Sequence, residues 1–268
     1  MNWRNLIELI IAVTLSAIIL SYPDFSTDNI VIFGLIPSIC IVFHEIAHEI
    51  TAHKYGKVDV RIRAYFPGLI LGLITALRSN GAFILMLPAY TCWEEPVSPI
   101  DVLFDESPDE VKEMRYRRML KVDAEIAIVG PAVNGLISLV SLLILIVIKS
   151  LYSDFYSFLL NAVESNSYFH FLLPLTLLNL AWFNGLLSIM NLIPLPIPIL
   201  SPVPPFFIHT DGLIFVSSLI ELVRRGEGKS IPWKMFFLSL LGASIYIALV
   251  FLGLISGEVC NAYENFRF

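Results

Sequence analysis

The chain has 268 residues, 57% of them hydrophobic and only 15% charged, and its mean hydropathy is +0.78. Water-soluble domains carry about 25% charged residues, so an ordinary soluble domain is excluded and a membrane protein is expected. The net charge of −6 comes from short loops without a basic arm, which argues against nucleic acid as a partner. The three cysteines (Cys40, Cys92, Cys260) form no CxxC pair and suggest no disulfide framework.

Apolar blocks of roughly 18 to 25 residues each match one bilayer thickness as helix. They place candidate spans at 5–22, 29–53, 124–148, 169–192 with 206–223, and 234–256. The first block looks like a signal peptide, but Glu8 interrupts it and no small-residue cleavage site follows, so it reads as a retained first helix. Lys and Arg concentrate at 54–63, 112–121 and 224–234, which places these loops on the cytoplasmic side. Segments 22–29, 150–168 and 257–268, poor in basic residues, then lie outside.

The second span carries His44-Glu45-Ile46-Ala47-His48 within apolar sequence. Two imidazoles and a carboxylate are costly at membrane depth unless something binds or neutralises them. On a helix, residues four apart share a face, so His44 and His48 can chelate one ion with Glu45 beside them as general base. Imidazole ligands favour zinc, and a catalytic zinc has three protein ligands plus an open position for water. At ~1.5 Å per residue, the six residues from His48 to the basic loop put the metal ~10 Å below the cytoplasmic surface. Cys40, one turn before His44, reads as a buried core residue rather than a ligand.

Residues 67–92 contain two apolar pieces too short to span, divided by Arg78-Ser79-Asn80-Gly81. Both flanks lie on the basic side, so a re-entrant hairpin fits better than two crossings; a single tilted helix is the alternative. Residues 93–123 read as a charged, mostly acidic loop, helical in part from Asp109.

Between the outer loop near residue 160 and the inner one at 224 the chain must cross an odd number of times. It offers two apolar pieces, so one crossing is expected to be broken. The connector PLPIPILSPVPP at 194–205 holds six prolines and cannot be helix. Irregular backbone at membrane depth is tolerated only where protein or a wet cavity covers it. Asp211-Gly212 follows this break and opens an apolar half-span, making Asp211 the best candidate for the third ligand. An N-cap role for Thr210 or Asp211 is the structural alternative. Glu125 and Glu221 lie at span ends, too near the surface to serve.

These motifs in order resemble the site-2 protease family of intramembrane zinc metalloproteases. The family has an HExxH helix, a GPxxN element matched by Gly130-Pro131-Ala132-Val133-Asn134, and a later NxxP…DG segment matched by Asn191-Leu192-Ile193-Pro194 and Asp211-Gly212. The resemblance covers about 29–223. It implies Zn2+ held by His44, His48 and Asp211, with Glu45 as general base. Asn191 would orient substrate or stabilise the oxyanion, and Asn134 would pack or join a polar network. The chain departs from the pattern in that residues 195–210 separate Pro194 from Asp211. His209, inside this insertion, is a substitute or additional ligand in an alternative assignment.

The expected fold is an all-α polytopic membrane protein with about five to six transmembrane helices, a broken helix and a re-entrant hairpin. It forms one membrane-embedded domain over 1–268, with its catalytic core at about 29–223. The expected location is the cell membrane, multi-pass, with the site near the cytoplasmic side. Expected partners are the lipid bilayer and a transmembrane protein or peptide substrate. Alternatives are a membrane zincin of the prenyl-protein or stress-protease kind, whose third ligand is a Glu, and a non-catalytic metal-binding or transport protein.

Overall fold

The computed structural model describes residues 2–81, 84–94, 108–151, 168–193, 196–198, 207–209 and 211–252. Helix α1, Trp3–Leu20, starts where the Asn2 side chain accepts from the Asn5 backbone N–H at 2.8 Å. Leu9, Ala12, Ser16 and Ile19 are buried at helical spacing, while Leu6, Ile7, Ile10 and Ile18 face outward. A helix apolar on its exposed side as well has its outer face matched to hydrocarbon rather than water.

A turn at Thr27–Asn29 and a π-helical stretch at Ile30–Leu35 lead into α2, Ile36–Lys54. This helix inverts the pattern of a soluble protein: Ile39, Phe43 and Ile50 are exposed, whereas His44, Glu45, His48 and Glu49 are buried. Strand β1 (Val58–Ala64), helix α3 (Phe66–Ser79) and strand β2 (Ala89–Glu94) follow. The chain then forms α4 (Asp109–Leu151) and α5 (Tyr168–Leu192), strands β3 (Pro196–Pro198) and β4 (Phe207–His209), α6 (Asp211–Arg224) and α7 (Trp233–Leu252).

Among the described residues, three helices are long and apolar enough to cross a membrane: Trp3–Leu20, Phe33–Lys54 and Asp109–Leu151. Phe66–Ser79, Thr176–Leu192 and Trp233–Leu249 are apolar but shorter. The expected hairpin at 67–92 is present as a turn-back, although its two arms differ. Asn80 caps α3 in the left-handed conformation (φ 53°), and the return arm at 84–88 is non-helical. The arms touch through small residues: a Cβ on Gly68 would lie 2.1 Å from the Leu87 carbonyl oxygen.

The return arm continues into β2, which pairs antiparallel with β1 in the register Ala64↔Ala89 and Arg61↔Cys92. The architecture is mostly helical as expected, with this short two-stranded ribbon added to it. Part of the basic stretch 54–63 is a strand because Val60, Ile62 and Ala64 alternate inward with exposed Asp59, Arg61 and Arg63. Within the apolar piece 206–223 the helix begins at Asp211, where the half-span was expected to open. Residues 207–209 pair with Pro196–Pro198 as a short antiparallel ribbon. The proline connector is non-helical where it is described, at 196–198. Of the expected loops, residues 95–107, 152–167 and 253–268 lie outside the described residues.

Helices α4, α5 and α7 pack on one another, α2 lies against α4, and α6 docks on α4. The last contact is apolar: Phe215 and Leu222 of α6 meet Ala124, Ala127 and Ile128 of α4 and Ile231. It holds the start of α6 beside the polar face of α2.

Candidate metal centre

His44 and His48 point from one face of α2 toward the first residue of α6. Asp211 Oδ2 lies 3.2 Å from the Nε2 of each histidine, and the two Nε2 atoms are 3.1 Å apart. Three potential ligand atoms thus form a nearly equilateral triangle. A tetrahedral ion with bonds of roughly 2.0–2.1 Å has ligand–ligand edges of roughly 3.3 Å, so the triangle fits one face of such a site. Among the described residues this is the one group of three His, Cys, Asp or Glu side chains that could hold a metal ion.

The backs of both imidazoles are held as well. His48 Nδ1 lies 2.6 Å from the Ile126 carbonyl oxygen, to which it donates, leaving the Nε2 lone pair for the centre. His44 Nδ1 lies 2.9 Å from the fully buried Asn134 amide. A half-turn of that amide presents either end, and with Nε2 turned to a metal its oxygen accepts the Nδ1 proton.

Both partners come from α4, around its Gly130-Pro131 step. A Cβ on Gly130 would fall 2.3 Å from His48 Nε2 and 2.7 Å from His44 Nε2. The glycine therefore leaves open the space beside the ligand atoms that any other residue would fill.

Asp211 reaches this position through a second close approach. A Cβ on Gly212 would lie 2.3 Å from the Leu192 carbonyl oxygen, so only glycine lets α6 start against the end of α5. Glu45 is buried beside the histidines, and its Oε2 accepts from the Thr91 hydroxyl of β2 at 2.7 Å. Asn191, 9% exposed, lines a cavity of about 20 Å³ together with His44, Glu45, Leu87 and Leu187. That volume accommodates roughly one water molecule.

The structure thus brings together His44, Glu45, His48, Asp211, Asn134 and Asn191. His209 joins the β3–β4 ribbon opposite Pro196, and its side chain lies outside the described residues. Cys40 is buried against Asn184, whose Nδ2 lies 3.1 Å from Sγ, away from the triangle. Glu125 is engaged by the Tyr55 hydroxyl and Glu221 by Arg225, so neither glutamate joins the centre.

Thr91 and the Ile126 carbonyl were missed by the sequence reading. No motif marks them, because their role depends on which backbone lies next to α2. Gly130 stands within the quoted GPxxN element, and only the packing reveals its steric part.

Two histidines and an aspartate around one point, with a buried glutamate alongside, is the donor set of a hydrolytic metal centre. Among known proteins, a "putative zinc metalloprotease" of Methanocaldococcus jannaschii is 40% identical to this chain over 81 residues. The match covers 30% of this chain and 42% of that relative, less than half of its length. No family model matches the chain, and no solved structure matches it.

Proposed function

We propose that the chain is an intramembrane zinc metalloprotease of the site-2 type, hydrolysing peptide bonds of transmembrane or membrane-proximal segments. One observation carries the reading: His44, His48 and Asp211 converge on a point beside Glu45, on helices whose outer faces are apolar. The relative named as a zinc metalloprotease supports zinc as the ion.

When bound, zinc supplies a Lewis acid and lowers the pKa of water to near ~7. Glu45 takes the proton of the attacking water and later returns it to the leaving amine. Thr91 holds the Glu45 carboxylate toward the cavity during this exchange. Asn191, which lines the same cavity, would donate to the substrate carbonyl oxygen as charge develops there. The apolar walls limit bulk water at the reacting bond.

A helical substrate must unwind first, because its carbonyls are already hydrogen-bonded. Among the described residues β2 pairs on one side only, with β1. A peptide added to its other edge would pass close to Glu45, which Thr91 of the same strand contacts. Cleavage then falls near the cytoplasmic end of the substrate segment in the cell membrane.

The decisive comparison is purified wild type against Glu45→Gln on a model transmembrane peptide in proteoliposomes. The variant is expected to retain zinc and lose at least ~100-fold in rate. Cleavage at the wild-type rate would overturn the mechanism.

A further inference from the structure

Helix α1 is apolar on its outer face yet carries two polar side chains, Asn5 and Glu8, one turn apart. Nothing in the proteolytic chemistry uses them. Asn5 is 2% exposed, and polar groups at membrane depth persist where something engages them. Both engage the backbone of β1. Asn5 Nδ2 donates to the Val60 carbonyl oxygen at 3.3 Å, and Glu8 Oε2 accepts from the Ala64 N–H at 2.9 Å. Glu8 Oε1 also accepts from the Arg63 guanidinium at 3.3 Å.

These contacts lie on the strand edge that β2 does not cover. The Tyr65 N–H donates to the Pro88 carbonyl at 2.8 Å on the β2 side, so the N–H one residue earlier points the other way. Open backbone groups in an apolar region are costly, and α1 supplies partners for them from its side chains.

The same Asn5 amide also donates to Glu49 Oε1 at 2.9 Å. Glu49 is buried on α2, one turn beyond Glu45. Val60 and Ala64, for their part, flank Ile62, whose cross-strand partner is Thr91. Thr91 in turn donates to Glu45 Oε2. The contacts close a ring: Asn5 to Glu49, along α2 to Glu45, across to Thr91 and Ile62, and back through Val60 to Asn5. Helix α1 thus grips both sides of the hydrogen bond that aims the carboxylate.

We propose that Asn5 and Glu8 are positioning residues for the general base. They lock the β1–β2 ribbon against α2, so that the Thr91 hydroxyl stays within reach of Glu45. A strand edge covered for stability alone needs no link to α2, whereas Asn5 gives one of its two amide protons to Glu49.

The proposal rests on the proteolytic reading, and the experiment keeps the two apart. Glu8→Leu and Asn5→Ala are compared with wild type, alone and combined with Thr91→Val, which lacks the hydroxyl. Glu8→Gln is the conservative variant, since its amide oxygen still accepts from the Ala64 N–H. Cleavage of a model transmembrane peptide in proteoliposomes gives kcat and KM, and metal analysis gives zinc content. Hydrogen exchange over residues 58–64 and 89–94 reports the ribbon without any need for activity.

Glu8→Leu and Asn5→Ala are each expected to lower kcat roughly three- to tenfold. KM and zinc content should stay near wild type, and both strands should exchange faster. Glu8→Gln should stay within about twofold of wild type in kcat. In the Thr91→Val background the further loss should shrink below about twofold, because the link through which both residues act is already cut. Losses that multiply in full there would overturn the positioning role and leave a structural one. Wild-type exchange in both strands for Glu8→Leu and Asn5→Ala would overturn the lock itself. Glu8→Leu carries the test alone should Asn5→Ala fail to fold. Should wild type cleave nothing, the protease reading falls and the positioning role with it, while exchange still decides whether α1 holds the ribbon.

Discussion

At the scale of single residues, the buried carboxylate of Glu45 poses the hardest problem. A carboxylate removed from water needs compensating partners, and a general base also needs its oxygens aimed. The Thr91 hydroxyl at 2.7 Å does both. Thr91→Val keeps the β-branched shape that suits a strand and removes only this donor. The expected result is a kcat about tenfold lower, with zinc content and KM close to wild type. Steady-state kinetics with metal analysis measures this, and an unchanged kcat would show that Thr91 does not aim Glu45. Asn134 and the Ile126 carbonyl have the parallel task behind the two imidazoles, fixing which nitrogen of each ring faces the centre.

At the scale of elements, the break between α5 and α6 decides whether Asp211, the proposed third ligand, reaches the two histidines. Gly212 permits α6 to begin against the Leu192 carbonyl, and the Phe215–Leu222 face clamps the rest of the helix to α4. Gly212→Ala introduces a methyl where only 2.3 Å is free, pushing Asp211 away from the histidines. Zinc affinity is expected to fall at least ~10-fold while helix content by circular dichroism stays at the wild-type level. Wild-type zinc retention would contradict this account of the break.

The same elements show what sequence could disclose. HExxH was legible because three costly side chains stood in an apolar run, and the broken crossing because six prolines cannot form helix. Strand β1 was not legible, since 54–63 drew attention by charge while its alternation was short and ended at a glycine-less turn into α3. The non-helical return arm looked like any apolar segment, since periodicity does not separate short buried strands from short helices. Thr91 was hidden because it meets Glu45 across 46 residues of chain.

At the scale of the whole molecule, the polar ends of α4 and α6 are tied outside the apolar region. Glu113 accepts from Arg225 and Arg117, Arg117 also donates to Glu227, and Arg225 also donates to Glu221. Hydrogen bonds from Arg225 and then Arg117 hold the Glu113 carboxyl below its ordinary value. A carboxylate whose folded pKa is depressed adds stability above its unfolded pKa of about 4.3, and loses it as pH falls through the folded value. Glu113→Gln is therefore expected to lower the unfolding temperature slightly at pH ~7, with the gap closing at pH values below ~4. Added salt should shrink the gap at neutral pH, because exposed pairs are screened. A gap that persists under acid conditions would assign the loss to packing instead.

The separation of Asp211 from its two histidines, 163 and 167 residues along the chain, has a consequence for biosynthesis. Translation delivers His44 and His48 early and Asp211 only after α4 and α5 have been made. A two-histidine site lacks the third protein ligand of a catalytic zinc, so it waits for the last part of the chain. Under the proposed function, hydrolytic competence begins only once α6 has docked. On that reading the nascent polypeptide carries no completed site of its own while it is still being made.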